Sequence, residues 1–113
     1  MKEDRVYLLH IRDAIKQVLH YTRQGRESFL GERQIQDATI RNLEIIGEAV
    51  KHVSKKLRAA HPDIPWKRIA GMRDKMIHDY FGVDARLVWD VVDREIPALL
   101  RKVEEILSRT TRS

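Results

Sequence analysis

The sequence contains no cysteine. Disulfides and thiolate metal sites are thereby excluded, and a reducing compartment is the natural setting. Proline is scarce, with three residues, and glycine follows with five in a chain of 113. No repeat and no low-complexity linker divides the chain, so residues 1–113 are expected to form one domain with a real core. No stretch approaches the roughly 20 apolar residues that would span a bilayer. The start, Met1-Lys2-Glu3-Asp4-Arg5, shows no apolar signal core. A soluble, cytoplasmic protein with no membrane partner is expected.

Several chemistries are missing as well. There is no Gly-rich phosphate loop, no H-E-x-x-H, and no serine in a nucleophile elbow. The five histidines, His10, His20, His52, His61 and His78, include no pair spaced by three or four residues. A metal site built on one helix is therefore not expected, and neither is a cofactor. No Gly-Ser followed by D-x-D occurs, so the chain is not itself a nucleotidyltransferase. The Pro62–Pro65 break does not match the turn of a helix-turn-helix.

What is present is charge. Lys and Arg number 22 against 17 Asp and Glu, for a net +5 and a pI of about 9.7. Such a balance favours anionic partners, nucleic acid or an acidic protein. From residue 51 to residue 80 there are eight Lys or Arg (51, 55, 56, 58, 67, 68, 73, 75) against three Asp (63, 74, 79).

The apolar spacing is helical nearly throughout, and no strand pattern emerges. Leu8, Ile11, Ile15 and Val18 predict a first helix over residues 4–23. Gly25 and Gly31 bracket what reads as a polar loop. Ile35, Thr39, Leu43, Ile46, Val50, Val53 and Leu57 predict one long helix over 32–60. Gly47 lies within it, either for close packing inside the subunit or for close approach of a second subunit. A short helix is expected from Pro65, then a break at Gly71 and another short helix over 72–80. Asp84 is placed to cap a final helix carrying Val88, Val91, Val92, Ile96, Leu99, Val103 and Ile106, which Pro97 should kink or split. The sum is an all-α, up-down bundle of four or five helices.

The segment Arg73-Asp74-Lys75-Met76-Ile77-His78-Asp79-Tyr80 holds the residue types of phosphodiester chemistry. Arginine grips phosphate with a planar fork of donors and stabilises negative charge as it builds. Histidine titrates near neutrality and moves a proton from a ribose 2′-hydroxyl or to a leaving oxygen. Asp74 is placed to orient the guanidinium or the imidazole. On an ideal helix Arg73 and Tyr80 share a face, while His78 lies about 140° from Arg73. RNA suits such a site because its 2′-hydroxyl is an internal nucleophile. One histidine does not readily serve both sides of a phosphate, whereas a two-fold dimer presents a second Arg73/His78 pair. Spacing alone is weak: the bland reading is a surface arginine and a histidine closing a helix. Trp66 and Trp89 read as core or interface anchors rather than base-stacking platforms.

Three blocks add context: residues 61–84, with the run His78-Asp79-Tyr80-Phe81-Gly82; Arg41-Asn42-Leu43-Glu44-Ile45-Ile46-Gly47-Glu48-Ala49; and Val88-Trp89 followed by Ile96-Pro97-Ala98-Leu99. Together they resemble the HepT-like toxins of the HEPN superfamily over nearly the whole chain. The resemblance implies a small helical bundle that pairs into a homodimer. It also implies a toxin that cuts RNA without metal, with Arg73 and His78 catalytic and Asp74 supporting. The implied antitoxin is a minimal nucleotidyltransferase (MntA-type) that transfers AMP from ATP to Tyr80. Whether Glu44 and Glu48 line the site or only decorate their helix stays open at this level. Two other readings also stand: a non-catalytic module that binds and is modified by a nucleotidyltransferase, and a basic nucleic-acid-binding bundle.

Overall fold

The computed structural model describes residues 2–78 and 84–111, with side chains described for residues 3–74 and 84–109. Among the described residues the chain is all-α. Five longer helices, α1 (Lys2–Tyr21), α3 (Arg33–Lys51), α5 (Trp66–His78), α6 (Ala85–Arg94) and α7 (Ile96–Thr111), are joined by two six-residue helices, α2 (Arg26–Gly31) and α4 (Lys55–Ala60). α3 is central: α1 packs on it from one side and α5 from another, while α7 packs against α1 and α6.

The apolar stripes of the sequence become the core. Leu8, Ile11, Ile15 and Val18 of α1 are fully buried with Leu43, Ile46 and Val50 of α3 and Val103 of α7. Each fully buried side chain of this size contributes roughly 1.5–3 kcal/mol of transfer free energy, which offsets the entropy of ordering the helices. Trp66 is buried and its indole N–H donates to the His61 carbonyl at 2.9 Å. The Trp89 ring lies 5.6 Å from the buried Phe29 ring. Both tryptophans are core anchors.

Four boundaries differ from the sequence expectation. First, the supposed loop between Gly25 and Gly31 holds the helix α2, which drops Phe29 into the core. Gly25 starts it with φ of 98°, a left-handed value that L side chains rarely adopt. Gln36 of α3 donates to the α2 carbonyls of Phe29 and Leu30 at 3.0 and 3.1 Å, closing its C-terminal end. Second, the expected long helix over 32–60 is two helices. Ser54 leaves helical geometry and caps α4, accepting from the Leu57 N–H at 3.1 Å. It is held there by the buried Asp4 of α1. The Asp4 carboxylate accepts from the Ser54 backbone N–H at 2.8 Å and from its hydroxyl at 2.7 Å.

Third, Gly71 does not break the chain. It lies inside α5, exposed, with open space where a Cβ would stand. Fourth, the first helix begins and ends two residues early, at Lys2 and Tyr21. The expected end of the helix at residue 80 lies outside the described residues, and two expectations further on hold. Asp84 caps α6, accepting from the Arg86 N–H at 2.9 Å, and the apolar stripe is split at Glu95, just before Pro97.

Candidate active site

The site is assembled where α3 crosses α5. A Cβ built on Gly47 would lie 2.8 Å from the Arg73 Cβ, 3.0 Å from the Arg73 nitrogen and 3.1 Å from the Ile69 carbonyl oxygen. Real side chains do not tolerate such distances, so glycine is what lets the two backbones meet. Of the two explanations left open for Gly47, packing inside the subunit is the one present in the structure. The contact sets the base of Arg73 directly on α3.

One residue on, Glu48 meets the guanidinium. Its Oε2 lies 2.6 Å from Arg73 Nε, and Asp74 Oδ1 accepts from Arg73 Nη1 at 3.3 Å. Asp74 also accepts from Lys51 Nζ at 3.0 Å. The Arg73 side chain is 35 % exposed, so its guanidinium is anchored on two helices and still open to solvent. Behind Glu48, His52 Nε2 lies 3.4 Å from Glu48 Oε1, and the His52 ring stacks on Tyr7 of α1 with centroids 4.9 Å apart. A continuous chain of contacts, a stacked ring pair followed by polar pairs, therefore runs from α1 through α3 to α5.

The electrostatics follow from these pairs. The hydrogen bond from Lys51 holds the Asp74 carboxyl below its ordinary value. Desolvation opposes it, while the positive charges of Lys51 and Arg73 and the hydrogen bond from Arg73 push in the same direction as the Lys51 bond. Lys51 and Arg73 carry two positive charges, Glu48 and Asp74 two negative ones. An arginine in such a frame is held in place yet keeps N–H donors beyond the two pairs, since a guanidinium has five. That is the requirement for a group that receives a phosphate.

Of the sequence-derived site residues, Arg73 and Asp74 are in contact, through the hydrogen bond from Arg73 Nη1 to Asp74 Oδ1. His78 is the last described residue of α5, and its side chain lies outside the described residues, as does Tyr80 altogether. The sequence left Glu44 and Glu48 undecided. Glu48 joins the site, and Lys51 joins with it, which spacing on one helix did not foretell. The available signal was a carboxylate directly after a glycine in a helix interior, where a close neighbour is expected. Among the described residues no group of three or more His, Asp or Glu is arranged to hold a metal ion, and no helix is long and apolar enough to cross a membrane.

Comparison with known proteins bears on this arrangement. The profile of the family described as "Ribonuclease HepT-like" matches residues 11–106. The chain belongs to the ribonuclease HepT-like family. The match spans both halves of the site, α3 and α5, and so places Gly47, Glu48, Arg73 and Asp74 inside the family domain. A protein of Caldanaerobacter subterraneus subsp. tengcongensis named "Putative RNase" is 44 % identical over 110 residues, covering 96 % of this chain and 98 % of the relative. A Thermococcus cleftensis protein named "Probable ribonuclease HepT" is 46 % identical over 101 residues, covering 88 % of this chain and 92 % of the relative. A Methanocaldococcus jannaschii protein named "Putative RNase" is 40 % identical over 107 residues, covering 94 % and 92 %. No solved structure matches the chain significantly.

Proposed function

We propose that this chain is a metal-independent endoribonuclease and the toxin of a HEPN/MNT (type VII-like) toxin–antitoxin pair. The observation that carries the reading is the Arg73 guanidinium, held half-exposed between carboxylates of α3 and α5. It heads an Arg-x-x-x-x-His-x-Tyr segment in a chain of a ribonuclease family.

In this reading Arg73 receives the scissile phosphate and stabilises the charge that develops on its non-bridging oxygens. His78 takes the proton of the ribose 2′-hydroxyl. The 2′-oxygen then attacks phosphorus, and the 5′-oxygen leaves with a proton supplied from the opposite side. The second proton is supplied by His78 of a two-fold-related copy, so the working unit is a homodimer with the site at its interface. The products are a 2′,3′-cyclic phosphate and a 5′-hydroxyl.

Control falls to Tyr80. A nucleotidyltransferase antitoxin joins the Tyr80 hydroxyl oxygen to the α-phosphorus of ATP, with loss of the phenolic proton and departure of pyrophosphate. The added adenylate places negative charge and bulk where RNA must bind, and opposes it by repulsion and occlusion.

The test is cleavage of one defined RNA in EDTA. Wild type is expected to cut it to cyclic-phosphate ends, and both Arg73→Ala and His78→Ala to lose the activity. If wild type cuts nothing at high concentration while a nucleotidyltransferase still binds it and transfers AMP, the chain is an interaction module instead. Strongly salt-dependent nucleic-acid binding that is indifferent to His78→Ala and accompanied by no cleavage identifies a plain binding bundle.

A further inference from the structure

We infer that Glu48 is a positioning residue of the ribonuclease site. It sets the direction of the Arg73 guanidinium and is itself set by His52. The inference rests on the ribonuclease reading of Arg73 and adds the residue that aims it.

The geometry is specific. Arginine has a long side chain, and a half-exposed one normally samples many rotamers. Here both ends are fixed by α3. At the base, Gly47 admits the Arg73 Cβ into direct contact with the α3 backbone. At the head, Glu48 Oε2 sits 2.6 Å from Nε, the inner nitrogen of the fork. Holding Nε fixes the plane of the guanidinium and leaves its outer edge, which carries the remaining donors, to Asp74 and to a phosphate.

Asp74 alone would not achieve this. It neighbours Arg73 on the same helix, reaches only Nη1, at 3.3 Å, and is shared with Lys51. Glu48 comes from a different helix and so references the guanidinium to the body of the fold. Its second oxygen faces His52 at 3.4 Å, and His52 is stacked flat on Tyr7, with 16° between the rings. The carboxylate is thus steadied from behind by a ring that is itself packed on α1.

A group that acts by aiming has a kinetic signature unlike that of a group that binds. Misplacement of a charge-stabilising arginine by about 1 Å costs up to about 100-fold in rate, because the loss falls on the transition state. Removing a negative charge beside a phosphate site makes the surface more positive and strengthens ground-state attraction to RNA. Glu48→Ala is therefore expected to lower kcat by about 10- to 100-fold, while affinity for RNA holds or tightens. Glu48→Gln keeps an oxygen that accepts from the Arg73 Nε–H, and should recover most of the lost rate. A merely structural residue would lower rate, affinity and helix content together.

The experiment compares wild type, Glu48→Ala, Glu48→Gln and His78→Ala. Turnover is measured on a fluorescent RNA oligonucleotide in EDTA. Affinity is measured on the 2′-O-methyl version of the same oligonucleotide, which has no nucleophile, and folding is followed by circular dichroism. A kcat loss in Glu48→Ala with affinity held or tightened, and Glu48→Gln in between, supports the inference. A Glu48→Ala kcat within twofold of wild type overturns it, as do parallel losses of kcat and affinity, or a Glu48→Gln no better than Glu48→Ala. If Glu48→Ala does not fold, Glu48→Asp, which draws the carboxylate back from Arg73 Nε by one methylene, decides: reduced kcat at unchanged affinity supports, and wild-type kcat overturns. Failure of the underlying ribonuclease reading is separate, and shows as no cleavage by wild type or full cleavage by His78→Ala.

Discussion

α3 makes two contacts of opposite character. Toward α1 it contributes to a dry cluster in which Leu8, Ile11, Ile15, Leu43, Ile46 and Val50 are all fully buried. Toward α5 it offers Gly47, Glu48 and Lys51, and receives Arg73 and Asp74, with charged side chains a third to a half exposed. The first contact is made of transfer free energy and close packing. The second is made of backbone proximity and direction. Exposed ion pairs contribute only about 0–1 kcal/mol each, so the charged contact does little for stability. Its content is geometric, and the same helix can hold the fold on one face and aim a site on another.

Substitutions can break that contrast in order of size. Leu43→Ala removes a side chain with no exposure at all. A loss of about 2–5 kcal/mol is expected in urea unfolding. If it costs no more than a surface change, the α1 side is not the stabilising one.

The two helical glycines sharpen the contrast at smaller magnitude. Gly47→Ala puts a Cβ 2.8 Å from that of Arg73 and forces α3 and α5 apart. Overpacking costs about 1–3 kcal/mol and the gain in helix propensity returns up to about 1, so a net loss of up to about 2 kcal/mol is expected. Gly71→Ala meets open space within α5 and should stabilise by up to about 1 kcal/mol. Thermal unfolding of the two variants side by side should therefore move in opposite directions. Equal shifts would remove the claim that the backbones meet at Gly47.

The smallest effect is on protonation. Asp74 has a depressed pKa, first through its hydrogen bond from Lys51. A depressed folded pKa contributes stability above the ordinary value of 3.8, and that contribution is lost as pH falls through the lower folded value. Lys51→Ala should move the Asp74 titration back up toward 3.8, read from its carboxyl carbon shift by NMR. A titration that does not move would mean that Lys51 does not hold Asp74 in solution.

The same contrast explains what the sequence revealed. Apolar periodicity is a local property, so the buried stripes of α1, α3, α6 and α7 were readable residue by residue, as were the Asp84 cap and the split before Pro97. The break at Ser54 was hidden, because Val53 and Leu57 continue the apolar rhythm across it. What holds Ser54 out of the helix is Asp4, 50 residues away. Gly47 and Gly71 look alike as letters, and only the neighbour across the helix pair distinguishes them. At the site, Arg73 and Asp74 were legible through a motif that is contiguous in the chain. Glu48 and Lys51 were not, because their partners come from another helix.

The central claim is that Arg73 and His78 cut RNA. It is tested most directly by the initial rate at which purified His78→Ala cleaves a defined RNA in EDTA, against wild type prepared identically. A loss of at least about 100-fold with the helical spectrum unchanged is the expected result, since a positioned general acid–base group supplies about 10²–10⁴ in rate. Wild-type cleavage by a nuclease-free His78→Ala preparation would contradict it.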